Sequence, residues 1–260
     1  MNVVQYPPVI NSISLYELLR EVDMVEPLPG NCWIGRYDEP EKAIEKYILD
    51  SYDMYFKDMY PLATGFEWWL HIFKDCDRMV GFHSSHDEMA RRENNGEMKY
   101  PFLSTVTYLN NHKSPTIVWD TSTGQREKEI INCPPTEVCF SLPEEGRMLT
   151  FNPRYINGVL PYSVGRITLH YDIWSYRPRG LNRVGVRTRK LSSQFFTKRI
   201  GEDPTTWLGD TCDTSVMLFG PDWKRQVTFK HPVNASNIGS FWKVIPVSYT
   251  HLRAHETLTD

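Results

Sequence analysis

The sequence predicts a mainly β protein with helices near its N-terminus, and two patterns carry that expectation. From about residue 64 to 178, short apolar or aromatic runs are broken by turn residues: GFEWWLHIF, DRMVGFH, PFLSTVTYL, PTIVWD, EVCFSL, GRMLTF, NGVLP and GRITLHYDIW. So many short strands with Gly, Pro, Asn and Asp between them indicate a sandwich or barrel and not an alternating parallel sheet. Residues 13 to 57 carry helical signals instead. SISLYELLREVDM has Ser14 as a cap with Glu17 three residues on, and in EPEKAIEKYILDSYDMYFKDM the residues Ala43, Ile44, Tyr47, Ile48 and Tyr52 recur at helical spacing.

Composition narrows the function classes. A chain of 260 residues with 40% hydrophobic content can bury a full core as one large domain, or one domain with an appendage. A formal charge of -3 and a pI near 6.3 give no overall basic surface, so nucleic acid is not an expected partner. The start MNVVQYPPVINS lacks the basic and apolar pattern of a signal peptide, and no run is long and apolar enough for a membrane span. Cys32, Cys76, Cys133, Cys139 and Cys212 are odd in number and show no CxxC spacing, which points to reduced thiols and a cytoplasmic location.

The chain divides by pattern into an N-terminal helical flank (1–63), a β domain (64–179) and an extension (180–246) of no assigned role. The extension holds the basic stretch RPRGLNRVGVRTRK and strand-like VMLF, QVTF and FWKVIP. Residues 247–257, VSYTHLRAHET, match translated sequencing-adapter DNA, so 247–260 are read as an artefact and set apart from fold reasoning. The natural chain is therefore expected to end, or to be cut off, near Pro246.

The densest cluster of possible metal ligands is GFHSSHDEM, residues 81–89. Taken in order with FLSTVTYLN (102–110), GRMLTFNPRYINGVLP (146–161) and GRITLHYDIW (165–174), it resembles the iron(II) and 2-oxoglutarate dependent dioxygenases, particularly the prolyl-hydroxylase-like branch. The resemblance covers about 110 of the 260 residues. It implies a double-stranded β-helix, a jelly-roll-like core, with Fe(II) and 2-oxoglutarate as cofactors and hydroxylation of an unidentified substrate. In such proteins iron sits on two histidines and one carboxylate, leaving positions for 2-oxoglutarate and dioxygen. A His-x-Asp on one strand projects both ligands to one side because side chains alternate. An arginine on the last core strand pairs with the far carboxylate of 2-oxoglutarate.

Carried over residue by residue, the resemblance puts His83 on the metal, and Arg166 and Tyr108 on the cosubstrate. It puts Ser85 where the carboxylate ligand belongs and Asn157 where the second histidine belongs, so two of three expected iron ligands are replaced. A hydroxyl and an amide oxygen are weak iron donors and carry no charge. Three outcomes follow: an oxygenase with a shifted frame that uses His86 and Glu88 with a histidine such as His170; a halide in place of the lost carboxylate, as in related halogenases, which retain both histidines; or a catalytically silent relative that binds a small-molecule carboxylate or a protein partner.

Other candidates have plainer readings. His71 shares strand parity with Glu67 and Trp69 and reads as a hydrogen-bonded structural histidine, and His112 as a solvated turn residue. Asp87 and Glu88 with Arg91 and Arg92 read as near-neighbour ion pairs. The stretch Arg177 to Lys190 reads as a phosphate contact or a solvated loop.

Overall fold

The computed structural model describes residues 1–7, 15–20, 31–73, 80–126, 129–131, 135–159, 165–181 and 183, together with 214–219 and 224–229. For 80–82, 130, 214–219 and 224–229 the backbone alone is described. In chain order the elements are β1 (Val3–Tyr6), a helical turn α1 (15–20), β2 (Cys32–Gly35), α2 (Ala43–Tyr55), β3 (Gly65–Ile72), β4 (Val80–His83), α3 (Glu88–Glu93) and β5 (Leu103–Tyr108). They continue with β6 (Thr116–Thr123), β7 (Ile130–Ile131), β8 (Glu137–Ser141), β9 (Met148–Phe151), β10 (Tyr155–Val159), β11 (Ile167–Trp174), β12 (Thr214–Phe219) and β13 (Lys224–Phe229). The proposed cap Ser14, the FWKVIP strand and residues 247–260 lie outside the described residues.

Each strand-like run of the β domain becomes a strand, and the strands assemble into two sheets. One has the order β1-β9-β5-β11-β3-β2, the other β13-β12-β8-β6-β10-β4. The core strands β9-β5-β11-β3 and β8-β6-β10-β4 pair antiparallel throughout. The chain repeatedly steps from one sheet to the other as it advances, so the strands wind as a double-stranded β-helix. The edges are covered by segments from the two ends of the chain: β1 on β9, β2 on β3, and β12 parallel to β8.

Strand alternation sorts the side chains. On β11 the odd positions Leu169, Tyr171 and Ile173 join Phe66, Trp68 and Met148 against Ile44, Tyr47, Ile48, Tyr52 and Phe56 of the α2 region and Leu15 and Leu18 of α1. A helix of this length is marginal alone, and Lys42 gives it no side-chain cap. Burying each large apolar side chain contributes about 1.5–3 kcal/mol, so packing holds α2 in place. Hydrogen bonds fix its register, with Tyr47 Oη 2.9 Å from Thr107 Oγ1 and Ser51 Oγ 2.9 Å from Tyr171 Oη. Between the sheets, Val106, Tyr108, Leu149 and Phe151 of one meet Val118 and Cys139 of the other. Cys32 and Cys139 are buried free thiols; Cys76, Cys133 and Cys212 lie outside the described residues.

The basic stretch after β11 finds protein carboxylates. Arg177 lies over the Trp33 ring, Arg179 pairs with Glu93 at 2.7 Å, and Arg183 reaches Glu45 at 2.9 Å and the Glu39 carbonyl. Glu45 is fully buried, so Arg183 neutralises a charge that water cannot reach. Arg183→Ala is expected to lower stability in urea unfolding by about 1–3 kcal/mol, the cost of an unsatisfied buried group. Adding Glu45→Gln to that variant should restore part of the loss.

Candidate functional site

The even positions of the last core strand face the opposite way from its helix-packed residues. Thr168, His170 and Asp172 share the barrel-facing side of β11, and Arg166 stands in the same parity just before it. Their cross-strand partners on β3 are His71, Trp69 and Glu67, and on β5 Tyr108, Val106 and Ser104. This half of the interior is therefore polar, whereas the β5–β9 half is apolar.

Arg166 enters from Gly165, which has φ +82, a conformation that glycine adopts without penalty. The turn is fixed because Asn110 Nδ2 donates to the Gly165 carbonyl at 2.6 Å and the Ile167 amide donates to Asn110 Oδ1 at 3.0 Å. The guanidinium is 0% exposed. It donates to Thr116 Oγ1 at 2.7 Å and lies over the rings of Tyr108 and Phe73, 5.6 and 5.8 Å from their centroids. Its Nε has no hydrogen-bond partner, and no carboxylate pairs with it among the described residues. Burial pulls its pKa down to about 10, still charged at neutral pH. Tyr108 is also fully buried, its hydroxyl 2.7 Å from Ser141 Oγ and 3.0 Å from Thr116 Oγ1. Arg166 and Tyr108 thus meet in one cluster, completed by Thr116, Ser141 and Thr168.

Further along, His170 Nε2 lies 3.0 Å from Thr168 Oγ1, and its ring is stacked on Trp69 and 4.5 Å from that of His71. Burial holds His170 well below its ordinary pKa and pushes His71 down to about 3, with His83 and Arg166 adding to both shifts. Both rings are neutral at physiological pH. Among the described residues the Nδ1 of His71 has no hydrogen-bond partner, and its ring packs against those of Trp69, Phe73 and His170.

The residues expected at the metal positions are brought together, and their chemistry can be compared with what iron needs. The sheet register sets Asn157 directly across from His83. The Asn157 amide donates to the His83 carbonyl at 3.0 Å and lies 3.3 Å from the Tyr155 carbonyl. Its Nδ2 is thereby committed to the backbone, and its amide oxygen is an uncharged, weak donor. Ser85 lies beside Asp172. Among the described residues no three His, Cys, Asp or Glu side chains converge as a metal cluster. One imidazole, a hydroxyl and a committed amide do not fit iron(II) as a donor set. The shifted pair is engaged too: His86 Nε2 is 3.3 Å from Glu88 Oε2, and Arg91 grips Glu88 at 2.6 and 2.5 Å with Arg92 at 3.0 Å. Burial favours a neutral Glu88, but the bonds from Arg91, His86 and Arg92 outweigh it and hold the carboxyl well below the usual range. Asp87 caps α3 by accepting from the Ala90 amide, and accepts from the Tyr176 hydroxyl. His112 accepts from the Ser114 amide at 3.0 Å.

Comparison with known proteins gives likenesses of fold. The chain is similar to a prolyl-4-hydroxylase of Pseudomonas putida, with 15% identity over 66% of this chain and 87% of that one and a TM-score of 0.46. It is similar to the viral collagen prolyl hydroxylase of Paramecium Bursaria Chlorella virus-1, solved with 2OG, with 10% identity over 68% and 97% and a TM-score of 0.43. The epimerase SnoN, solved with Fe3+, alpha ketoglutarate and nogalamycin RO, matches with 14% identity over 73% and 88% and a TM-score of 0.42. No family model and no curated protein matches the chain.

Sequence reasoning missed the acidic end of this interior. Asp172 and Glu67 are cross-strand partners, both buried. Burial first, then the Asp172 charge, pushes Glu67 up to about 8, although Asn31 and Trp174 donate to it at 2.6 and 3.1 Å. Burial pushes Asp172 up to about 7, opposed by the Ser104 and Ser85 hydroxyls. The available signal was parity: in GRITLHYDIW the alternate residues Arg166, Thr168, His170 and Asp172 are polar.

A carboxyl with a raised folded pKa costs nothing below its unfolded value. Its penalty accumulates as pH rises from about 4.5 to about 8, by up to about 1.4 kcal/mol per pH unit. Glu67→Gln removes that titration. Its melting temperature relative to the parent chain should therefore climb between pH 5 and pH 8, and a pH-independent difference would contradict the assignment.

Proposed function

We propose that this chain binds a small-molecule carboxylate, of which 2-oxoglutarate is the type, on Arg166 inside a double-stranded β-helix of the 2-oxoglutarate-oxygenase kind, and that it performs no iron-dependent oxidation. The observation that carries the reading is the fully buried guanidinium of Arg166, which keeps its charge with hydroxyls and ring faces around it and, among the described residues, no carboxylate opposite. A buried charge without a counter-charge is destabilising. Its presence is accounted for if an anion completes it, and the planar fork of arginine suits a carboxylate. Tyr108, Thr116 and Thr168 position the guanidinium. Two structures of similar fold hold the same compound, 2-oxoglutarate, also called alpha ketoglutarate. The donor set at His83, Ser85 and Asn157 supports the non-oxidative half of the reading.

The test uses Arg166→Met, which fills similar volume without charge. Thermal shift with chelator-treated protein is expected to show saturable stabilisation of the parent chain by 2-oxoglutarate. Arg166→Met should be as stable as the parent, or more so, and should show no such shift. A parent chain that ignores 2-oxoglutarate without iron but decarboxylates it with iron would overturn the proposal in favour of an oxygenase.

A further inference from the structure

The acidic end of the barrel interior is unexplained by a carboxylate on Arg166. Glu67 and Asp172 sit opposite each other on β3 and β11, facing the same side, at 6% and 2% exposure. Among the described residues neither forms an ion pair with a lysine or arginine. Arg166 stands six residues away along the strand, about 20 Å at roughly 3.3 Å per residue, too far to compensate them. Ser104 is the cross-strand neighbour of Asp172 on its other side, and the Ser85 hydroxyl also lies beside that carboxyl. Ser104 Oγ is buried and close to Asp172, yet among the described residues neither it nor Asp172 Oδ1 has a partner in hydrogen-bond geometry. Two carboxylates and two hydroxyls thus share a corner that is buried at Glu67, Asp172 and Ser104 and half-open at Ser85, with unused oxygen lone pairs.

We propose that Glu67 and Asp172, together with the Ser85 and Ser104 hydroxyls, form a site for one hard divalent cation of the Mg2+, Mn2+ or Ca2+ class. The charge accounting selects a dication: burial favours the protonated carboxyls, a bound cation favours their ionised forms, and two ionised carboxylates balance two positive charges where a single ammonium group supplies one. The donor chemistry selects the class, since every donor is oxygen, and oxygen sites suit Mg2+, Ca2+ and Mn2+ over softer metals. Two carboxylates suffice because Mg2+ is usually held by one or two and keeps several waters. Asn31 and Trp174 each occupy one face of a Glu67 oxygen and aim the carboxylate, leaving lone pairs for a cation. Asp172 contributes charge beside Ser85, where the resemblance had located a lost carboxylate, but it does so from another strand. The cation and the carboxylate on Arg166 depend on separate residues, so either proposal can fail alone.

The experiment is Mn2+ titration of the full, chelator-treated chain followed by electron paramagnetic resonance, with Mg2+ and Ca2+ as competitors. The parent chain should take up one Mn2+ that Mg2+ or Ca2+ displaces. Asp172→Asn and Glu67→Gln should each weaken uptake about tenfold or more. Both substitutions remove like charge from a buried pair, so melting temperatures at or above that of the parent are expected and verify folding. Arg166→Met should bind Mn2+ as the parent does. The proposal is overturned if the parent takes up no Mn2+ at millimolar concentration, or if both neutral variants retain parental affinity. Uptake lost in His83→Ala and kept in Asp172→Asn would also overturn it, because the ion would then sit on the histidines.

Discussion

Arg166 places a full positive charge between the two sheets, and much of the surrounding arrangement answers to it. The guanidinium is reached by Thr116 from the facing sheet and is covered by the ring faces of Tyr108 and Phe73. The Tyr108 hydroxyl passes the contact on to Ser141. These partners reduce the cost of burial without cancelling charge. Gly165 and Asn110 bring Arg166 into parity with Thr168, His170 and Asp172, so one turn aligns the whole polar row. The interior then reads in layers along β11, with a cation at one end, neutral imidazoles in the middle and carboxyls at the other.

The layering shows how one fold separates packing from chemistry. The odd face of β11 is committed to the helices and carries the apolar core. The even face carries groups that an apolar core would exclude, and their cross-strand partners on β3 and β5 are polar or aromatic except Val106 opposite His170. Asn157 illustrates the opposite trend. Its amide ties β10 to β4 through the His83 carbonyl, so a position that could present a ligand serves sheet cohesion. The arginines after β11 bind back onto Glu45 and Glu93 and hold that segment against the helical layer.

Much of the core was legible in the sequence because its strands are either long with clear turns or bear period-2 alternation. GRITLHYDIW gave both the strand and the facing of Arg166, and VMLF and QVTF gave β12 and β13. The four-residue strands β1 and β2 were not legible: VVQY and CWIG are too short for periodicity, and their pairing depends on partners thirty or more residues away. The parallel pairing of β12 with β8 is likewise a long-range choice. At the site, the positions Arg166, Tyr108, His83 and Asn157 came from ordered motifs, whereas the pairing of Asn157 with His83 is a matter of sheet register. Asp172 and Glu67 did not, since a lone acid within an apolar strand is read as solvated until the register places two of them together. Arg91 with Glu88 shows why the density of GFHSSHDEM misleads: its acids cap and brace α3.

On the proposed reading, the Nε of Arg166, which has no partner among the described residues, takes a carboxylate. The most direct measurement is nitrogen-15 NMR of the arginine Nε–H groups during titration with 2-oxoglutarate in the presence of a chelator. The account predicts one saturable downfield shift, absent in Arg166→Met and assignable to a new hydrogen bond at that atom. An Arg166 resonance unmoved at saturating 2-oxoglutarate would contradict it.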